Sequence, residues 1–250
     1  MKISVIIPTL NEEKFLGKLL GDLKKQTWQD FEVIVADAHS TDETRVVAKK
    51  YGARVVDGGM PAVGRNAGAA VAKGDFLYFL DADVRLKKDF LAKSYAEIED
   101  RFLDLATCEL VPISDLMVDK VLHQASNVFV KLQQYSSPVV LGCCILVSKR
   151  LFERVNGFDE SLKLGEDYNF AKRASEYRNL RVLLNTKIDL SVRRLQKDGR
   201  VGYAEMILKM MIYRGLFGEI KKDIVDYEFG KFDQKNKSKM EKMLVKYDKK

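Results

Sequence analysis

The chain has 250 residues, 46% of them hydrophobic and 32% charged, so it can bury a core without disulfides or metals and is not globally disordered. Four prolines and 16 glycines exclude collagen-like and low-complexity classes. The net charge of +7 is concentrated: residues 231–250 carry eight lysines against three acids, so the other 230 residues hold only +2 and form no nucleic-acid footprint.

Lys2–Pro8 reads as a short strand buried on both faces, and Glu12–Gln26 as a helix with apolar residues at Phe15, Leu16, Leu19, Leu20 and Leu23. Phe31–Ala36 is a second buried strand. Thr41–Tyr51 is a helix that Ser40 or Thr41 could cap. Arg54–Val56, Pro61–Ala72 and Asp75–Leu80 continue the alternation as strand, small-residue helix and strand. Helices of this length between strands imply right-handed βαβ units and a mostly parallel sheet. Further on, strands are expected at Leu103–Val111, Val139–Val147, Val182–Leu184 and Ile188–Val192. Helices are expected at Leu116–Gln134, Lys149–Val155, Asp167–Glu176 and Tyr203–Phe217. A boundary near residue 200 divides residues 1–200 from a helical, basic extension, 201–250.

Cys108, Cys143 and Cys144 make no disulfide framework, and two histidines without a CxxC argue against a zinc site. No transmembrane helix or signal peptide is expected: the longest uncharged run, Leu132–Ser148, contains two Gln, three Ser and a Pro, and Pro8 stops the run that begins at Ile3. The expectation is a reduced, cytoplasmic protein.

In open α/β sheets ligands bind beyond the carboxyl ends of the strands. Polar clusters stand there: Pro8-Thr9-Leu10-Asn11-Glu12-Glu13 after the first strand, Asp37 to Asp42 after the second, Gly64-Arg65-Asn66 in the helix after the third, and Asp81-Ala82-Asp83 after the fourth. Asp81 and Asp83 offer hard oxygen ligands suited to Mg²⁺ or Mn²⁺ completed by a diphosphate. Arg65 suits phosphate oxygens, and Asp37 could accept from a base or ribose. A D-x-D alone is also a common solvated turn.

Taken in order, SVIIPTLNEE, VIVADAHSTDET, GRNAGAAVAKGDFLYFLDADV, GCCILVSKRLFERVNGFDE and GEDYNF resemble the family 2 glycosyltransferases over residues 2–195. That resemblance implies a GT-A, Rossmann-like α/β fold with a mostly parallel mixed sheet flanked by helices. It implies inverting transfer from a nucleotide-diphospho-sugar to an acceptor hydroxyl or lipid phosphate. It places Pro8, Thr9, Asn11 and Glu12 around the nucleoside, Asp37 at the base, Arg65 at the diphosphate, Asp81 at ribose or metal, and Asp83 at the metal. Asp167, beside Glu166 on the donor side, matches the catalytic base. Inverting transfer needs one carboxylate to take the acceptor's proton, a requirement that Asp167 can meet. Helix geometry turns Glu166 elsewhere if Asp167 opens the helix. As departures from the family pattern, Ala38 follows Asp37, His39 replaces a common Gly, and no His follows the GED segment. Arg193 and Arg194 lie where cationic groups would close over the diphosphate.

The Met-, Ile- and Leu-rich Tyr203–Phe217 segment reads either as a packed helix or as an interfacial one. Arg193, Arg194, Lys197, Arg200, Lys209, Arg214 and the Lys-rich tail would then lie beside anionic headgroups at the inner face of the cell membrane. Two rivals remain. One is a sugar-nucleotide nucleotidyltransferase, which the missing Gly-rich loop after the first strand disfavours. The other is a non-catalytic membrane-surface binding protein on the same fold.

Overall fold

The structure, a computed structural model, describes residues 1–222, 224–225 and 229–230. The expected apolar pattern of Met240, Met243, Leu244 and Tyr247 lies outside the described residues.

The elements run β1 (Ile3–Thr9), α1 (Glu13–Lys24), β2 (Phe31–Asp37), α2 (Thr44–Lys50), β3 (Arg54–Asp57), α3 (Pro61–Val71), β4 (Phe76–Leu80), β5 (Val84–Arg85) and α4 (Phe90–Asp100). They continue with β6 (Leu105–Ile113), α5 (Met117–Gln133), β7 (Cys144–Ser148), α6 (Lys149–Arg154), α7 (Glu166–Ser175), β8 (Arg181–Ser191), α8 (Arg193–Asp198) and α9 (Arg200–Phe217). One eight-stranded sheet has the order β3-β2-β1-β4-β7-β6-β8-β5. The β1–β2, β1–β4, β2–β3 and β6–β8 ladders are parallel, and the three that involve β7 or β5 are antiparallel.

The apolar runs explain the sheet. All seven residues of β1 and all five of β7 are buried, because helices cover both faces. One core joins β1, α1 and α4 around Leu16, Leu19, Tyr78 and Phe90, and the other packs α3, α6 and α7 on the opposite face around Phe79, Phe152, Phe158 and Phe170. The turn into β4 leaves no room at Gly74: a Cβ there would lie 2.5 Å from the Ser4 nitrogen and 2.6 Å from the Ile3 carbonyl carbon. Gly74→Ala should therefore lower stability by about 1–3 kcal/mol, the usual range for overpacking, as read from urea unfolding.

Three local expectations are corrected. The second helix begins at Thr44 rather than Thr41, because Ser40 and Thr41 bond to Asp37 and Asn11 while Asp42 Oδ1 accepts from the Thr44 nitrogen at 3.0 Å. The two strands expected between residues 182 and 192 are one, β8, which runs beside β6 through a register shift between Thr107 and Glu109. The strand expected from Val139 starts at Cys144. The cysteines are free and buried, with the Cys108 and Cys144 sulfurs 3.2 Å apart across β6 and β7.

α9 begins at Arg200 and is tied to the body at both ends. Arg200 makes two bonds to the fully buried Asp119 of α5, from Nε at 2.9 Å and Nη2 at 2.8 Å. Beyond the helix, Ile220 is buried and forms a bridge with Leu164, and the Lys163 nitrogen donates to the Ile220 carbonyl at 3.0 Å.

Candidate active site

The sheet order explains the site. Strands β1, β2 and β4 are parallel, so their carboxyl ends share one edge. Strand β7 is antiparallel to β4 and starts at that edge: Leu80 pairs with Cys144, and the Asp81 nitrogen donates to the Cys143 carbonyl at 3.3 Å. Strand β8 runs parallel to β6, which is antiparallel to β7, so β8 ends there too. The Ser191 nitrogen donates to the Asp83 carbonyl at 3.2 Å. Residues more than a hundred positions apart thus meet at one rim.

Two arginines organise the rim. Arg193, at the start of α8, holds both Glu12 oxygens, Nη1 to Oε2 at 2.6 Å and Nη2 to Oε1 at 2.7 Å, and its Nε donates to Asp83 Oδ2 at 2.6 Å. Its guanidinium also lies 4.4 Å from the Phe15 ring. Arg65, buried in α3, donates from Nη1 to Glu166 Oε1 at 2.7 Å and from Nη2 to the Gly142 carbonyl at 3.1 Å and to Asp81 Oδ1 at 3.4 Å. Its Nε is buried with no bonding partner among the described residues.

The carboxylates respond to this crowding. Desolvation pushes Glu12 up to about 7, against the pull of Arg193 and with repulsion from Asp83 and Asp81. Asp83 is also raised, by burial first, with Arg193 opposing. Asp167 is raised to about 6 by desolvation and then by Glu166, while Arg65 and Arg214 draw it down. That value lets Asp167 hold a proton just below neutrality and be free of it at pH 7. Asp81 is 39% exposed, the most open of these acids.

Gly165 precedes α7 at φ 78°, a left-handed turn that glycine adopts without strain. The helix opens at Glu166 rather than Asp167, so the condition for turning Glu166 away is not met, and Glu166 points into the rim toward Arg65. Gly142 faces Asp167: a Cβ at 142 would stand 3.0 Å from Asp167 Oδ2 and 3.1 Å from Arg65 Nη2.

The β1 and β2 ends brace one another. Asp37 is fully buried. Its Oδ1 accepts from Thr9 Oγ1 at 3.0 Å and Ser40 Oγ at 2.6 Å, and its Oδ2 accepts from the Ser40 nitrogen at 3.0 Å and Arg45 at 3.3 Å. Asn11, at φ 55°, accepts the Thr41 N–H at 2.9 Å and donates its own N–H to Ser40 at 2.8 Å. Pro8 is buried beside Gly64, where a Cβ would lie 3.3 Å from it. His39 is exposed at φ 57°, so the position where Gly is common does demand the left-handed conformation.

The model of the family described as Glycosyl transferase family 2 matches residues 4–155, more than half of the chain. The chain belongs to that family. Its sequence is 28% identical over 190 residues to the poly(ribitol-phosphate) beta-N-acetylglucosaminyltransferase TarS of Staphylococcus aureus, covering 70% of this chain and 32% of that protein. It is also 28% identical over 186 residues to a poly(ribitol-phosphate) beta-glucosyltransferase of Bacillus spizizenii, covering 70% and 29%. The chain thus spans about a third of the length of these relatives. The structure of S. aureus TarS 1-349 in complex with UDP-GlcNAc aligns with a TM-score of 0.63 at 25% identity, covering 76% of this chain and 58% of that one. The mannosyltransferase PcManGT of Pyrobaculum calidifontis, in complex with GDP-Man and Mn²⁺, aligns with a TM-score of 0.65 at 20% identity, covering 83% and 64%. The fold of this family 2 member is therefore GT-A.

Within the family frame, Asp81 and Asp83 are the candidate metal ligands. No cluster of three or more His, Cys, Asp or Glu gathers for a metal among the described residues. The pair still fits a hard divalent ion whose other ligands come from a diphosphate, since both are hard carboxylate donors that already face positive charge, Asp81 that of Arg65 and Asp83 that of Arg193.

Sequence reasoning missed Gly142, Tyr168, Tyr203 and Arg214. The Arg214 guanidinium lies 4.1 Å from the Tyr168 ring, and its Nη1 would be 3.1 Å from a Cβ at Gly165. Burial raises the Tyr203 phenol, with Cys143 and Asp167 adding to the rise and Arg194 opposing it. A lone arginine late in an apolar helix was the available signal. Three cations expected to face lipid are corrected: Arg193, Lys197 and Arg200 are turned inward, the first and third onto acids of distant elements.

Proposed function

We propose that this family 2 member transfers a sugar with inversion from a UDP- or GDP-sugar to an acceptor hydroxyl or lipid phosphate. In this reading residues 1–200 form the catalytic domain and the chain from 201 a basic extension, of which α9 is the helical part among the described residues. The observation that carries it is the Arg65 bridge, which links Asp81 at the end of β4 to Glu166 and to the Gly142 carbonyl, with Asp167 facing Gly142.

Each residue then has a task. Asp37, Thr9 and Asn11 brace the loops that receive the nucleoside beside Pro8 and Glu12. Arg65, Arg193 and Arg194 meet the diphosphate, the orphan Arg65 Nε supplying a donor. Mn²⁺ or Mg²⁺ held by Asp83 and Asp81 would neutralise charge on the leaving diphosphate. Asp167 accepts the proton of the acceptor hydroxyl as it attacks. The protein works in the cytoplasm, with residues 201–250 against the inner face of the membrane. No helix among the described residues is long and apolar enough to cross a membrane.

Thermal unfolding against UDP, GDP and their sugar conjugates, with Mn²⁺ or EDTA, tests the donor assignment. A ligand at 100 times its dissociation constant adds about 2.7 kcal/mol, and for a chain of this size that raises Tm by roughly 5–10 °C. A metal-dependent shift with one nucleotide names the donor base, and no shift with either nucleotide refutes the reading.

A further inference from the structure

Helix α5 is 17 residues long and buries only Asp119 and Val130. Met117, Val121, Val128, Phe129, Leu132 and, just past the helix, Tyr135 are exposed. At about 100° per residue they form one stripe, and Gln124 and Ala125 complete an open groove of about 450 Å³ along it. A contiguous apolar surface of this kind marks a binding face. Helix α9 is built alike: its sole buried residue among those described is Arg200, while Leu208, Met211, Ile212 and Leu216 are exposed. The Arg200–Asp119 pair pins the two helices together at their starts.

Charge decides what covers the stripe. Its acid, Asp119, is buried against Arg200, so every exposed charge on α5 is positive. Lys120 and Lys131 fall on the same flank of the stripe, about 20° apart around the helix axis. Lys131 and Lys187 share Glu109 in a knot of net positive charge. A second copy laid antiparallel across the groove would set Lys120 against the partner's lysine flank, a repulsive arrangement. An anionic lipid surface satisfies both features, taking apolar side chains below the headgroups and lysines among them.

A short run of chain joins the face to the chemistry. From the end of α5 the chain runs through residues 134–141 to Gly142, which touches Arg65 and faces Asp167. From α9, Arg214 covers Tyr168, the neighbour of Asp167.

We propose that α5 is a membrane-docking face that seats the protein on an anionic bilayer, with Asp167 open toward acceptors presented at that surface. The docking stands without the transferase reading, and only the orientation of Asp167 toward an acceptor depends on it. The test is co-sedimentation of the full chain with phosphatidylcholine vesicles, with and without phosphatidylglycerol, at low and high salt. The intact protein should pellet with the anionic vesicles, and salt should weaken this. Val121→Glu with Leu132→Glu, both at exposed positions, should lower binding at least about tenfold without lowering Tm, and Lys120→Glu should lower it less. Binding that survives the double substitution overturns the proposal, as does equal binding to neutral vesicles. A loss seen only with Leu208→Glu and Ile212→Glu moves the face to α9 and overturns it too. Light scattering that shows a dimer made monomeric by the α5 substitutions assigns the stripe to a second copy instead.

Discussion

Asp167→Asn should lower the rate of sugar transfer by roughly 10²–10⁴-fold, the range for loss of a positioned general base. Donor binding should survive, because Arg65 keeps Glu166, Asp81 and the Gly142 carbonyl as partners. The measurement pairs turnover with nucleotide binding, and a variant that turns over like the parent sinks the base assignment. The raised pKa of Asp167, about 6, fixes the pH dependence. A base must be unprotonated, so kcat/KM should rise with pH through about 6 and fall away on the acid side. The same shift has a stability sign. An acid whose folded pKa lies above its ordinary value binds its proton more tightly when folded, so the cost to folding builds as pH rises from the ordinary carboxylate range to about 6 and is full at pH 7. Asp167→Asn should therefore melt no lower than the parent at pH 7. A lower melting temperature would mean that the carboxylate is a structural support.

Arg65→Met should be the most destabilising change at the rim. The side chain is 4% exposed, and its loss leaves Glu166, Asp81 and Asp167 as neighbouring acids without their shared cation. Removing one partner of a buried ion pair costs about 3–5 kcal/mol, which lowers Tm by roughly 10 °C for a chain this long. The effect on Asp167 follows in sign: with Arg65 gone its pKa rises, so the acid limb of the kcat/KM profile should move to higher pH. Arg65→Lys tests the geometry, because an ammonium's three donors radiate from one nitrogen and cannot span the acceptors that the guanidinium reaches from two. Equal stability of parent and Arg65→Met would show that the bridge is dispensable.

Much of the fold was legible from local chemistry. Continuous apolar runs at residues 3–7 and 76–80 and helical spacing at Leu16, Leu19, Leu20 and Leu23 report burial directly, and burial is what forms those elements. Strand ends carrying Asn11, Asp37 and Asp81-Ala82-Asp83 announced the rim, because parallel strands alternating with helices must end on one edge. The order of motifs reached the family, and the matched residues 4–155 bear that out.

What the sequence could not supply is pairing between distant elements. The Glu12–Arg193–Asp83 knot joins residues 181 and 110 positions apart and depends on the antiparallel insertion of β7, which carries β8 back to the rim. Spacing along the chain says nothing of that topology. Cationic residues near 193–200 looked like a lipid-facing patch because charge is visible in sequence and burial of charge is not. Only the partners, Glu12, Asp83 and Asp119, turn Arg193 and Arg200 inward. The same reason hid the open face of α5. Its apolar residues read like any core helix, and whether such a stripe is covered is settled by which elements the tertiary fold lays against it.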